Sequence, residues 1–162
     1  MSDLTFTLRP IGVVQTPYQD IQNMPIQPKG AAGARGKLVV HPEYMEGLVD
    51  LDGFSHIYLI YLFHQVREMQ LTVTPFLDKA SHGVFATRAP KRPNPIGLSV
   101  VRLIKMTDNV LELENVDMLD GTPILDIKPY VPAFDEQEDV RVGWLEKNGD
   151  KVRTKRSDKR FG

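Results

Sequence analysis

Short β-rich runs separated by turn residues constrain the fold of this 162-residue chain more than any other feature. The run over residues 54–63 (FSHIYLIYLF) has the length and aromatic content of a buried strand. Asp108-Asn109 and Asp120-Gly121 lie where hairpin turns are needed between later runs. Many short strands with few helical segments predict a mainly β protein, either an antiparallel barrel or a sandwich.

The predicted elements follow one another at short spacings. We expect strands over residues 6–15 (broken at Pro10), 36–40, 54–63, 84–87, 98–105, 110–116, 123–127 and 140–145. Residues 42–51 alone favour a helix, because Pro42 is near the start and Glu43 and Glu46 follow in the first turns. Residues 18–36 form a polar linker rich in proline and glycine, and loops of that length are usually functional or disordered.

Composition excludes several classes of protein. The chain has no cysteine, so disulfides and thiolate metal ligands are excluded, and its four histidines include no pair at metal-ligand spacing. We therefore expect no metal site. No run approaches the roughly 18 to 20 apolar residues that cross a bilayer, and no signal-peptide pattern is present. These features predict a cytoplasmic protein without membrane contact, made of one domain (residues 1–146) and a basic tail (147–162).

Charge is distributed unevenly along the chain. Residues 147–160 contain seven Lys/Arg and two Asp, a net charge of +5, so the remaining residues carry −6 of the overall −1. Such asymmetry is typical of a nucleic-acid contact, although a terminal basic tail also serves solubility alone.

Residues 83–99 (GVFATRAPKRPNPIGLS) combine three prolines with three cations. Each proline fixes φ near −65° and lacks an N–H, so the stretch is neither ordinary helix nor central strand. It holds Arg88, Lys91, Arg92 and Asn94 in preset directions, which suits an anion-binding site. The alternative is an edge loop whose charges lie in water.

The remaining motifs narrow the chemistry. The glycines at 30, 33 and 36 match neither the dinucleotide-binding fingerprint nor the P-loop, which leaves only a flexible loop beside a cofactor. His64 and Gln65 end the buried run, where both side chains face a ligand at a strand mouth, whereas His56 is interpreted as a core residue. Ser99 has no adjacent partner, so covalent catalysis is disfavoured.

Two further segments carry polar groups. Residues 117–123 (DMLDGTP) are interpreted as a hairpin corner whose carboxylates either cap their own backbone or bind a nucleoside-type ligand. Residues 128–132 (KPYVP) are a second proline-stiffened segment, in which Tyr130 either reaches a ligand or packs as an amphipathic wall.

The chain resembles the TrmO/TsaA-like family of tRNA methyltransferases. The resemblance rests on residues 11–18 (IGVVQTPY), on 54–57 through His64-Gln65, on the RPNPIG core of 83–99 and on 117–130. It is closest to the short form of the family, without the additional C-terminal domain of longer bacterial members. It implies a compact β-barrel with one or two short helices, a homodimer and S-adenosylmethionine as cofactor. The implied reaction is methylation of N6 of threonylcarbamoyladenosine at position 37, in the tRNA anticodon loop.

The resemblance also implies a set of site residues. The cofactor would meet Pro28, Lys29, Gly30, His64, Gln65, Arg88, Leu98, Asp117, Met118, Leu119 and Asp120. The catalytic candidates are Asp120 and Tyr130, with His64 as a third candidate for a general base. Phosphate contacts are expected from Arg35, Lys37, Lys91, Arg92, Lys155 and Arg156, and no DNA partner is expected. The alternatives are a non-catalytic RNA- or nucleotide-binding barrel, or a methyltransferase with another acceptor.

Overall fold

A closed antiparallel barrel of six strands forms the centre of the computed structural model, which describes residues 4–22, 24–26, 28–147 and 155–158. The strands are β1 (Gly12–Gln15), β2 (Arg35–Val40), β3 (His56–Leu62), β4 (Thr72–Val73), β5 (His82–Gly83), β6 (Ile96–Thr107), β7 (Val110–Glu114) and β8 (Pro123–Pro129). The barrel order is β1-β2-β7-β6-β3-β8, while β4 and β5 form a small separate sheet. The prediction of a mainly β barrel is confirmed, and closure excludes the sandwich.

Alternation along β3 and β6 builds the barrel interior. Every second residue of β3 is buried, and β6 matches this alternation from Gly97 to Leu103. The register places Leu59 opposite Ser99 and Tyr61 opposite Gly97. A Cβ atom at position 97 would lie 2.3 Å from the Tyr61 ring, so only glycine leaves room for that ring. The buried aliphatic side chains of this interior supply the main stabilisation of the fold.

The hairpin between β6 and β7 forms at the predicted turn. Asp108 takes a positive φ of 52°, a conformation that Asp and Asn tolerate better than most residues. The Asn109 side chain donates to the carbonyl of Val40 at 2.7 Å and so ties the hairpin to β2. By contrast, Asp120-Gly121 forms a turn but no hairpin, because β7 and β8 pair with other strands. Gly121 N–H instead donates to the carbonyl of Val14 in β1 at 2.9 Å.

Two predicted strands are wrong. Residues 84–87 contain a 3₁₀ turn, Val84–Ala86, because both the backbone N–H and the hydroxyl of Thr87 donate to the Val84 carbonyl. Residues 140–145 contain the start of another 3₁₀ turn, Gly143–Lys147, which begins at a glycine with φ of 57°. In both segments local hydrogen bonds replace the extended backbone that β-branched residues favour.

The other boundaries shift in ways that the sequence explains. The first predicted strand is confined to β1, and residues 4–10 on the far side of Pro10 pair with no strand among the described residues. The predicted helix over 42–51 is two 3₁₀ turns, Pro42–Leu48 and Leu51–Gly53, separated by Asp50 at a φ of 67°. The remaining helical pieces are a 3₁₀ turn, Pro28–Ala31, and one α-helical turn, α1 (Pro132–Asp135). In the described part of the chain, no helix is long and apolar enough to cross a membrane.

Candidate functional site

A cleft of about 770 Å³ opens at the barrel end where β3 stops and β6 starts. Its walls come from the segment between β3 and β6, from residues 117–122, and from Ile21 to Ile26 together with residues near the C-terminus. Most of the walls are apolar, and a few polar side chains converge on the interior. Clefts of this size and character are typical small-molecule sites.

Three polar residues form a hydrogen-bonded chain inside the barrel mouth, here called the polar floor: Tyr61, Ser99 and Asp117. The Ser99 hydroxyl donates to Asp117 Oδ1 at 2.7 Å and lies 3.1 Å from the Tyr61 hydroxyl. Because the Ser99 hydroxyl has one hydrogen and gives it to Asp117, Tyr61 donates to Ser99. All three residues are buried, and Tyr61 and Asp117 line the cleft.

Burial dominates the electrostatics of the polar floor. Desolvation raises the pKa of Asp117 to about 7, while the hydrogen bond from Ser99, a backbone hydrogen bond and the Arg88 charge oppose that rise. Burial likewise raises the pKa of the Tyr61 phenol far above its usual range, so this phenol is a hydrogen-bond donor at neutral pH. The floor therefore holds a carboxyl group that exchanges its proton near neutrality.

Residues 84–92, here called the rim turn, lie at the mouth of the cleft and are held by Arg92. Its guanidinium Nη1 lies 3.0, 2.9 and 3.4 Å from the carbonyls of Val84, Thr87 and Ala89. The same guanidinium lies 5.7 Å from the centroid of the Phe85 ring, within the range of a cation–π contact. The turn is therefore fixed by the Arg92 guanidinium, whose charge is solvated in part by hydrogen bonds to three backbone carbonyls.

Residues near the C-terminus complete the wall opposite the barrel. Trp144 Nε1 donates to the Ala86 carbonyl at 2.9 Å, and its ring stacks on His82 with centroids 4.5 Å apart. Ser157 N–H donates to the Met24 carbonyl at 3.0 Å, and its hydroxyl donates to the carbonyl of Ile21. The Ile21–Ile26 side of the cleft and the rim turn are thus each tied to the C-terminal part of the chain.

The charged groups of the cleft suit a ligand that carries both signs of charge. Arg88 lines the cleft, and its positive charge lowers the pKa of Asp117. A guanidinium binds carboxylates, and a buried carboxyl accepts hydrogen bonds from amines or N–H groups. Among the described residues, no group of three or more His, Asp or Glu side chains is placed to hold a metal ion.

Comparison with known proteins assigns the chain to a family. Residues 13–136 match the model of the tRNA-methyltransferase O N-terminal domain. The chain belongs to the tRNA-methyltransferase O family. The matched residues comprise the six barrel strands from Val13 onward and the whole segment between β3 and β6, so they include most of the cleft.

Three relatives illustrate the range of this family. A probable S-adenosyl-L-methionine-binding protein of Pyrococcus abyssi is 52% identical over 158 residues, covering 98% of this chain and 86% of the relative. A tRNA (adenine(37)-N6)-methyltransferase of Escherichia coli is 36% identical over 152 residues, covering 88% of this chain but 65% of that protein. The crystal structure of TrmO from Pseudomonas aeruginosa superposes with a TM-score of 0.73 at 43% identity, over 87% of this chain and 63% of the crystallised one.

The structure brings most of the predicted cofactor residues together. Seven of them line the cleft: His64, Gln65, Arg88, Leu98, Asp117, Met118 and Leu119. Pro28, Lys29 and Gly30 lie in the 3₁₀ turn Pro28–Ala31. Among the residues whose side chains are described, Lys29, Gly30 and Asp120 do not line the cleft. The roles of all eleven residues stay predictions, and seven of the eleven lie together in the cleft.

The two predicted catalytic residues lie outside the cleft. Asp120 Oδ1 accepts the Thr16 N–H at 2.9 Å, and Asp120 N–H donates to the Tyr18 carbonyl at 2.7 Å, so this residue joins the turn before β8 to the end of β1. The Tyr130 ring packs edge-on against Tyr58, with centroids 5.6 Å apart, just after β8. The Tyr130 contact matches the alternative of wall packing, whereas Asp120 binds the backbone of another segment rather than its own.

The six predicted phosphate contacts are spread over the molecule. Arg35 lies on β2 in an ion pair of 3.4 Å with Glu114, and Lys37 is exposed on the same strand. Lys91 is buried, with 8% of its surface exposed, and Arg92 is the internal support of the rim turn. Arg156 forms an isolated antiparallel β-bridge with Pro25, and Lys155 precedes it in the chain. The rest of the predicted basic tail, residues 148–154 and 159–162, lies outside the described residues.

Tyr61, Ser99 and Phe85 were not predicted as site residues from the sequence, whereas Asp117 was. Tyr61 and Ser99 occupy inward positions on alternating strands, where a polar residue needs a hydrogen-bond partner. That mismatch was a usable signal for both residues. For Ser99 the partner is Asp117, eighteen residues further along the chain. Phe85 gave no such signal, because it belongs to a segment predicted as strand.

Proposed function

We propose that this protein transfers a methyl group from S-adenosylmethionine to N6 of threonylcarbamoyladenosine at position 37 of the tRNA anticodon loop. The general activity follows from the family: the chain is an S-adenosylmethionine-dependent tRNA methyltransferase. One observation carries the finer proposal, namely the convergence of Arg88, Asp117 and the apolar residues around them on one cleft.

The chemistry of the cleft fits the cofactor. Apolar side chains such as Leu98, Met118 and Leu119 offer walls for an adenine ring and a methionine chain, and the volume is within the usual range for such a ligand. Arg88 would bind a carboxylate, either that of the methionine group or that of the threonyl group. When bound, S-adenosylmethionine would supply a methyl group from its sulfonium sulfur. The sulfur would keep the C–S electron pair and leave as a neutral thioether when the nitrogen attacks in line.

Asp117 is the proposed proton acceptor. The N6 nitrogen of the substrate is acylated by a carbamoyl group, which delocalises its lone pair and makes its N–H more acidic. A carboxyl group with a pKa of about 7 suits the removal of such a proton near neutral pH. The hydrogen bond from Ser99 holds one carboxylate oxygen, Oδ1, and the Asp117 side chain lines the cleft where a ligand would bind.

The earlier candidates for this role remain distinguishable by mutation. His64 lines the cleft and is exposed, so it is the second candidate for the proton acceptor. Asp120 and Tyr130 have their contacts elsewhere in the barrel, and we propose supporting roles for both. Lys29 and Gly30 are proposed to meet the cofactor only if the turn Pro28–Ala31 moves toward the cleft.

Two properties of the assembly are also proposals. We propose a homodimer, which the exposed apolar side chains of Leu4, Phe6 and Leu8 support, because they alternate along a segment at 58% to 76% exposure. A cytoplasmic location stays a prediction from the sequence. Contacts of Arg35, Lys37, Lys155 and Arg156 with tRNA phosphates also stay predictions, and each exposed cation would add salt dependence to RNA binding.

The test is methyl transfer in vitro with two matched substrates. The purified protein and S-adenosylmethionine are incubated with a tRNA that carries threonylcarbamoyladenosine at position 37, and with the same tRNA carrying plain adenosine there. Digestion and mass spectrometry of the nucleosides should show one added methyl group on threonylcarbamoyladenosine.

Two other outcomes would replace the proposal. Methylation of plain adenosine, or of a nucleoside elsewhere in the tRNA, would keep the methyltransferase and change its acceptor. Cofactor binding in calorimetry without transfer to either tRNA would favour the non-catalytic RNA- or nucleotide-binding barrel.

A further inference from the structure

Phe85 is the one strongly exposed aromatic residue among those described as lining the cleft. It is 74% exposed, while its neighbour Val84 is buried at 1% and anchors the turn. The other phenylalanine, tyrosine and tryptophan residues described as lining the cleft are buried or partly buried, and several have ring partners: Tyr61 packs edge-on against Phe63, and Trp144 stacks on His82. Single exposed rings are common on protein surfaces, and what distinguishes Phe85 is its place at a binding cleft, where the ring is available to a ligand.

The Phe85 ring is held in place rather than left loose. The guanidinium of Arg92 lies over it at 5.7 Å and is itself bonded to carbonyls on both sides of the ring's own turn. Trp144 Nε1 also donates to the carbonyl of Ala86, the next residue. A flat surface that is preset in this way binds a planar ligand with little ordering cost.

We propose that Phe85 is the platform on which a nucleobase of the RNA acceptor stacks. This inference rests on the proposed function, since it takes an unpaired base of an RNA loop as the ligand. Bases in single-stranded loops are commonly bound by stacking on aromatic side chains. The rim position favours the acceptor over the cofactor, because a small molecule bound in the cleft interior would not need a ring that faces solvent.

The proposal changes the role of Arg92. As a predicted phosphate contact, Arg92 would point at the RNA backbone, but its Nη1 group is engaged by carbonyls of the rim turn. Arg92 is instead a positioning residue that fixes the ring from the protein side. The opposite face of Phe85 is left for the base.

The experiment compares four variants: Phe85→Ala, Phe85→Leu, Phe85→Trp and Phe134→Ala. Phe134 is the matched control, because it is 78% exposed on α1 and does not line the cleft. Binding of a fluorescently labelled anticodon stem-loop RNA is measured by anisotropy, cofactor binding by calorimetry, and folding by thermal melting. Stacking is disrupted by Ala and Leu and preserved by Trp.

We expect Phe85→Ala and Phe85→Leu to weaken RNA binding roughly 5- to 150-fold, the usual range for one stacked base. Phe85→Trp and Phe134→Ala should stay near wild type, and the cofactor affinity of every variant should be unchanged. The proposal is overturned if Phe85→Ala behaves like Phe134→Ala or if Leu replaces Phe fully. A loss of cofactor affinity in Phe85→Ala also overturns it, because the ring would then belong to the cofactor site.

The design separates this inference from the proposed function, because anisotropy requires no methyl transfer. If the wild-type protein binds the RNA through Phe85 but methylates nothing, the proposed reaction is wrong and the platform stands. If it methylates the tRNA and Phe85→Ala has no effect on RNA binding, the platform is wrong and the reaction stands. If it does neither, both are wrong.

Discussion

The polar floor and the rim turn both border the cleft, but they are built by opposite means. Two residues of the floor, Tyr61 and Ser99, lie on the paired strands β3 and β6, and Asp117 joins them from the segment between β7 and β8. All three side chains are buried. The rim turn has no strand register, and prolines and the partly buried hydrogen bonds of Arg92 fix its shape. Strand pairing fixes the Ser99 hydroxyl that bonds the buried Asp117 carboxyl, whereas an irregular stiff turn suits exposed groups that must reach a large substrate.

This difference predicts unequal sensitivity of stability to the same substitution. Leu59 is fully buried in β3, while Leu71 is 59% exposed in the segment between β3 and β6. Leu59→Ala should lower the free energy of unfolding by about 2–5 kcal/mol, because it leaves a cavity in a closed barrel. Leu71→Ala should change it by less than about 0.5 kcal/mol.

Urea denaturation of both variants measures this contrast. Equal losses of unfolding free energy at the two positions would mean that the segment between the strands is as much a part of the folded core as the barrel is.

The buried carboxyl of the floor predicts a pH dependence that the rim lacks. The fold raises the pKa of Asp117 to about 7, so the native state holds a proton that the unfolded chain has released. Wild-type stability should therefore fall as pH rises from about 4 to about 7, relative to Asp117→Asn, by roughly 2–4 kcal/mol. Above that range the difference should stay constant.

Denaturation curves at several pH values test this sign. Asp52→Asn, which removes an exposed carboxylate, is the control and should keep the wild-type profile. A difference between wild type and Asp117→Asn that does not vary with pH would show that the carboxyl is not desolvated in the folded protein.

The rim predicts losses of binding without losses of stability. Arg88→Ala should weaken S-adenosylmethionine binding roughly 10- to 100-fold, since hydrogen bonds to a charged group contribute about 1.5–3 kcal/mol. Calorimetry measures this change, and Arg102→Ala, an exposed arginine on β6, is the matched control. Unchanged affinity in Arg88→Ala would remove Arg88 from the cofactor site.

The same contrast explains how far the sequence predicts the molecule. The barrel strands were predictable because β3 has the length and aromatic content of a buried strand and β7 alternates apolar with acidic residues. The turn Val84–Ala86 was not, because its apolar residues favour a strand and only the hydrogen bonds of Thr87 and Arg92 fold it back. The β-propensity of single residues does not predict these side-chain hydrogen bonds to the backbone.

The candidate site divides in the same way. His64, Arg88 and the residues 117–119 were located by resemblance to the family, and the structure brings them to one cleft. Three general-base candidates came from the sequence, Asp120, Tyr130 and His64, with Asp120 preferred, whereas Asp117 lies in the cleft and Asp120 binds the backbone of Thr16. The sequence did not determine which of the two carboxylates, three residues apart, faces the cleft.

The pH dependence of single-turnover methyl transfer, at saturating cofactor and tRNA, is the most direct test that the polar floor performs the chemistry and the rim turn binds RNA. We expect a rate that rises with pH to a plateau with a midpoint near 7, the pKa of Asp117. In Asp117→Asn that midpoint should disappear and the plateau rate should fall roughly 10²- to 10⁴-fold. In Phe85→Ala the midpoint should remain, and only the tRNA concentration needed for saturation should increase. A midpoint that survives in Asp117→Asn would contradict the assignment of Asp117 as the proton acceptor, because the chemistry would then depend on a group outside the polar floor.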